Sequence, residues 1–178
     1  FKTARVFDVI QTEGTPLPEL AQTAGDPGAL LNTLKTNIAD RGIELLYING
    51  SAGVQGWSGG GRIAVRRGLT SAEEFSTIVH ELAHSILHER ENEKSSRTVR
   101  ETEAEAVAFV VCEAIGLDTN SAASDYLRMY NGDRDTLLAS LNRIQRTAAG
   151  ILADLRRSNG AGGEFGAPLS ISVPRAAA

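Results

Sequence analysis

The sequence predicts an α+β fold: a small antiparallel or mixed sheet packed on one long helix, followed by a helical C-terminal part. Two observations carry this. The β-rich runs all lie before Thr70, interrupted by one helical segment. After Thr70 the apolar residues recur with helical period. That is the segregated order of an α+β chain rather than a strand–helix alternation.

The elements follow in order. Arg5 to Ile10 is a short β-rich run and reads as a strand. Gln11 to Leu20 holds Gly14, Pro16 and Pro18 and reads as a loop. Asp26-Pro27 has the form of an N-cap followed by a first-turn proline. Leu30, Leu31, Leu34 and Ile38 then keep helical spacing, and Gly42 stands where a helix stops. Ile43 to Ile48 is strand-like, with Asn49-Gly50 as a turn signal. Val54 to Trp57 suggests a second strand, Gly59-Gly60-Gly61 a loop, and Arg62 to Arg66 a third strand with alternating character.

Thr70 with Glu73, and Ser71 with Glu74, both fit a capping box. Phe75, Val79, Leu82 and Ile86 stripe the helix that follows, which should run to about His88. Glu89 to Arg97 is a charged connection. A second helix runs from near Arg97 to Ile115, with Gly116 as its stop, and Ser121 to Tyr130 suggests a short third. Asn131-Gly132-Asp133 breaks the pattern. Leu137, Leu138, Leu141, Ile144, Ala148, Ile151 and Leu155 mark a long amphipathic helix. Residues 1–157 are thus expected to form one domain, and the Gly-, Ala- and Pro-rich residues 158–178 a flexible tail. A chain of 178 residues suffices for one core.

Bulk properties narrow the function. Hydrophobic content of 42% and charged content of 22% are those of a globular protein. A net charge of -4 argues against nucleic-acid binding by this piece itself, because such binding rests on neutralising phosphates. No apolar run approaches the ~20 residues of a membrane span. The single cysteine, Cys112, leaves no intrachain disulfide and suits a reducing, cytoplasmic location. The chain opens on Phe1 rather than Met, as a fragment or processed product would.

The informative stretch is Ser76-Thr77-Ile78-Val79-His80-Glu81-Leu82-Ala83-His84-Ser85-Ile86-Leu87. Residues four apart on a helix share a face, so His80 and His84 can share one ion. Glu81 is offset by about 100° and flanks them. Zinc suits imidazole nitrogens, and a catalytic zinc keeps one position open for water. A carboxylate beside that water can take its proton, so the pattern points to a hydrolase. His88 continues the spacing but lies ~12 Å along the axis from His80, too far to share the ion. Its place at the helix end suits a cation.

A third ligand must come from elsewhere, and Glu101, Glu103 and Glu105 enter the next helix. Glu101 and Glu105 fall on one face with Ala108, Cys112 and Ile115, while Glu103 is about 200° from Glu101. Glu101 is therefore favoured as the ligand. Glu105 would stand behind the site, holding a ligand histidine's other N–H. Glu103 is the fallback ligand, or else an exposed charge.

His80 to His88, read as H-E-L-A-H-S-I-L-H, with Glu101-Thr102-Glu103-Ala104-Glu105 downstream, resembles the gluzincin-type ImmA/IrrE family of zinc peptidases. The resemblance implies a zincin-like fold, zinc as cofactor, Glu81 as catalytic base, and His80, His84 and Glu101 as ligands. Glu105 departs from it, since Asp or Asn is usual there. A wider resemblance, over Phe1 to about Leu155, is to the C-terminal metallopeptidase-like domain of ArdC-type antirestriction proteins. It rests on Val6 to Gly14, the histidine helix, Ala104-Glu105 leading to Cys112-Glu113-Ala114-Ile115-Gly116, and Tyr126-Leu127 through Asn131-Gly132-Asp133. It implies a single-stranded-DNA-binding domain upstream of Phe1.

The expected function is hydrolysis of peptide bonds in a peptide or protein substrate, with no membrane partner. The alternatives are a metal-containing interaction module without proteolysis, and a hydrolase of non-peptide bonds. Arg62 to Arg66 reads equally as an edge strand that pairs with extended substrate and as an ordinary strand of the sheet. Tyr126, Arg128 and Tyr130 are candidate oxyanion donors.

Overall fold

The computed structural model describes residues 23–49, 55–88, 95–119 and 134–158. Its elements are α1 (Leu30–Asp40), β1 (Glu44–Ile48), β2 (Gly56–Gly59), β3 (Arg62–Arg66), α2 (Ser71–His88), α3 (Arg97–Ala114) and α4 (Arg134–Ser158). The fold is α+β, with a three-stranded mixed sheet and four helices among the described residues, consistent with a zincin-like architecture. The expected strand at Arg5–Ile10, the short helix at Ser121–Tyr130 and the tail after Ser158 lie outside them.

Helix α1 begins later than Asp26 suggests. Asp26 accepts from the Gly28 N–H at 2.9 Å, closing a turn ahead of the helix, and the N-cap position falls to Ala29. A short acceptor beside Pro27 satisfies its own loop first. At the other end, Gly42 N–H bonds to Ala39 O and Ile43 N–H to Ile38 O. This paired closure stops the helix and turns the chain into β1.

The sheet order is β1-β3-β2, with β1 and β3 parallel and β2 and β3 antiparallel. Gly60 and Gly61 join β2 to β3 in a two-residue turn with φ of 59° and 71°. Positive φ at both positions is what the tight hairpin turn demands, and only glycine adopts it freely. The order decides between the two readings of Arg62–Arg66: it is the central strand, and β1 and β2 are the outer ones among the described residues. It also explains why Ile63, Ala64 and Val65 are all buried instead of alternating. Ala64 lies in register between Leu46 and Trp57, and a methyl group flanked by those side chains is covered.

Helix α2 starts on the capping box formed by Thr70 and Glu73. The Glu73 carboxylate accepts from Thr70 N–H at 2.9 Å, and Thr70 Oγ1 accepts from Glu73 N–H at 3.2 Å. Glu74 is committed elsewhere, accepting from Tyr47 at 2.5 Å and pairing with Lys35 at 2.8 Å. Phe75, Ile78, Val79 and Leu82 bury one side of α2 in the core with Val107, Val111, Ile144 and Leu155. Helix α2 packs against β2, β3 and α3, and α3 packs on α4. The sheet therefore covers one flank of α2 and α3 the other, leaving a polar strip of α2 between them.

Candidate metal centre

That polar strip carries His80, Glu81 and His84. Their neighbours Ile78, Val79, Leu82 and Ala83 face the core, which fixes the roll of α2 and turns the histidines into a cleft of about 950 Å³. Helix α3 starts at Ser96, whose side chain accepts from Val99 N–H at 3.2 Å. One turn further in, Glu101 reaches the same cleft.

His80 Nε2 and His84 Nε2 are 3.1 Å apart. Glu101 Oε2 stands 3.7 Å from His80 Nε2 and 3.5 Å from His84 Nε2. Ligands at zinc's usual bond lengths in a tetrahedron lie about 3.4 Å apart, so the three donor atoms have the spacing one zinc ion needs. Two imidazoles and one carboxylate also match zinc's preferences, with a fourth position left for water. Among the described residues these three form the one group of His, Cys, Asp and Glu side chains able to hold a metal.

Glu105 lies behind His80, its Oε2 3.1 Å from His80 Nδ1. With Nδ1–H donating to that carboxylate, the Nε2 lone pair faces Glu101 and His84, as a ligand's must. Burial opposes protonation of His80, but the Glu105 hydrogen bond and the carboxylates of Glu105, Glu81 and Glu101 outweigh it and raise its pKa. For His84, burial and then the neighbouring His80 push the pKa down to about 4, against the pull of Glu101. The same hydrogen bond to His80 holds the Glu105 carboxyl below its usual range, against burial.

Glu81 is only 7% exposed. Burial raises its pKa first, and the Glu101 charge adds to this, while a hydrogen bond from Ser58 and the charge of His80 pull the other way. Its carboxylate lies against Gly56, where an added Cβ would meet Glu81 Oε1 at 3.1 Å, Ala64 O at 3.0 Å and Thr77 Cγ2 at 2.7 Å. Only a residue without a side chain lets β2 come this close, and neither Gly56 nor Ser58 stood out in the sequence. A glycine interrupting a strand pattern is the one local signal that points to close approach.

His88 ends α2 but turns inward, its Nε2 3.7 Å from Glu103 Oε2. Glu103 is 0% exposed, so it is not an exposed charge, and it is neither among the residues lining the cleft nor in the group that could hold a metal. Cys112 is buried further along α3, hydrogen-bonded with Ser76, and burial pushes its thiol up to about 12. Tyr126, Arg128 and Tyr130 lie outside the described residues. No described helix is long and apolar enough to cross a membrane.

Comparison with known proteins agrees with this geometry. Residues 40–123 match the Peptidase M78 family, described as the IrrE N-terminal-like domain. The match supports an ImmA/IrrE-like metallopeptidase family for this segment, which spans the sheet, α2 and α3. The uncharacterized protein pXO2-81 of Bacillus anthracis is 32% identical over 87 residues, 47% of this chain. The chain spans 15% of that relative's length. No solved structure matches significantly.

Proposed function

We propose that this chain is a zinc-dependent metallopeptidase domain, with His80, His84 and Glu101 as ligands and Glu81 as general base. The observation that carries the reading is the convergence of three donor atoms at zinc spacing with a buried Glu81 lining the same cleft. Zinc held there would polarise a peptide carbonyl and lower the pKa of the attacking water. Glu81 takes that water's proton and passes it to the leaving amine. Ser58 and the backbone at Gly56 fix the carboxylate's direction, and Glu105 fixes the His80 ring.

An extended peptide would add to the outer edge of β2, whose Trp57 is 40% exposed and borders the cleft. The likeness to ArdC-type proteins extends the proposal. In a longer protein this domain would act in the cytoplasm beside a single-stranded-DNA-binding domain lying outside this chain. An interaction module without proteolysis has no use for Glu81, and the buried placement of that carboxylate speaks against it.

The test is cleavage of an unfolded protein such as casein by the zinc-loaded chain. Glu81→Gln should lower the rate by about 10²–10⁴-fold while zinc stays bound. Equal cleavage by both proteins would refute the assignment.

A further inference from the structure

Behind the cleft lies a second constellation, which borders it only at His88. Glu103 sits at the centre, fully buried. Ser140 of α4 donates to its Oε1 at 2.6 Å. Arg143, one turn along α4, brings Nη2 to 3.5 Å from Oε2. The same Arg143 nitrogen donates to Leu87 O at 3.0 Å, in the last turn of α2. His88, the final residue of α2, faces Glu103 Oε2 at 3.7 Å. One carboxylate thus ties α3 to α4 directly, and to the end of α2 through Arg143 and His88.

We propose that Glu103 is a positioning residue for the metal centre, and that α4 acts on the site through it. This rests on the zinc reading above. Glu101 and Glu105 lie two residues either side of Glu103, so their side chains leave α3 roughly opposite to it. A helix pinned on one face by a buried, hydrogen-bonded carboxylate cannot roll, and its opposite face is aimed accordingly. An apolar contact slides along its neighbours, whereas a 2.6 Å hydrogen bond has a direction. Buried charge is costly, and a carboxylate with these partners gives the roll of α3 a single setting. The anchors Ser140 and Arg143 both lie beyond the segment matching the peptidase family, which ends at residue 123.

The test is zinc affinity of the full chain, measured by competition with a chromophoric chelator at a temperature where each protein is folded by circular dichroism. Glu103→Gln should bind zinc about tenfold more weakly, in the range typical of groups that orient a ligand. Ser140→Ala, a milder change, should weaken binding severalfold and carries the test if Glu103→Gln does not fold. Leu155→Ala destabilises α4 from a buried site outside the constellation and should keep wild-type affinity. The cobalt-substituted Glu103→Gln chain should show a visible spectrum altered from wild type, a sign of changed coordination that mere loss of stability would not produce. Unchanged affinity in both constellation variants, or an equal loss in Leu155→Ala, would overturn the proposal. A wild-type chain that takes up no zinc would overturn the metal-site reading, and this inference with it.

Discussion

At the scale of single residues, the placement of Glu81 depends on how closely backbone and carboxylate approach at Gly56. Gly56→Ala puts a methyl group against Glu81 Oε1, Thr77 and the Ala64 carbonyl. Overpacking of this kind costs about 1–3 kcal/mol. Displacing Glu81 costs more in rate, toward about a hundredfold for a misplacement near 1 Å. We therefore expect Gly56→Ala to fold with a modest drop in melting temperature and to lose most activity; activity equal to wild type would show that Glu81 needs no such fit. Cys112 makes the opposite case, a reactive group made inert. Its folded pKa of about 12 exceeds the ordinary value of 9.0, so the buried thiol keeps its proton where an unfolded chain would lose it. The unfolded state then binds fewer protons, and stability falls as pH rises from about 9 toward 12. Iodoacetamide at pH 8 should leave Cys112 unmodified in the folded chain and alkylate it after unfolding; labelling of the native protein at the unfolded rate would contradict its burial.

At the scale of elements, α2 was the most legible part of the chain, because its start, stripe and spacing are local. The Thr70–Glu73 box forms as read, and Thr70→Ala should cost about 1 kcal/mol, seen as a lowered melting temperature with zinc binding intact. Ser71 and Glu74 fit the same pattern equally well, yet Glu74 turns to Tyr47 and Lys35, partners that only the folded sheet and α1 supply. Strand β3 was legible in extent but not in place. Its residues spell a strand, whereas its central position depends on β1 and β2 pairing to either side, and no local pattern encodes that. Helix α3 shows the same boundary within five residues. The four-residue step from Glu101 to Glu105 puts both on one face, and both reach the histidines. Glu103 reads as one more helix-surface acid because its partner Ser140 lies 37 residues away.

At the scale of the whole molecule, the sheet, α2 and α3 form the unit that matches the peptidase family, and α4 closes the core behind it. Arg41, which caps the C-terminus of α1, pairs with Asp154 of α4 at 2.5 Å, and Ser158 donates to Asn37 at 2.8 Å, so the first and last described helices hold each other. The cleft collects every carboxylate assigned a chemical part: Glu81, Glu101 and Glu105. The central claim is that His80, His84 and Glu101 together hold one zinc ion. The measurement that meets it most directly is the metal content of the purified chain, for wild type, Glu101→Gln and Glu81→Gln. Wild type and Glu81→Gln should each carry about one zinc per chain, and Glu101→Gln should lose it. No zinc in the wild type after loading at neutral pH, or full zinc in Glu101→Gln, would contradict the account.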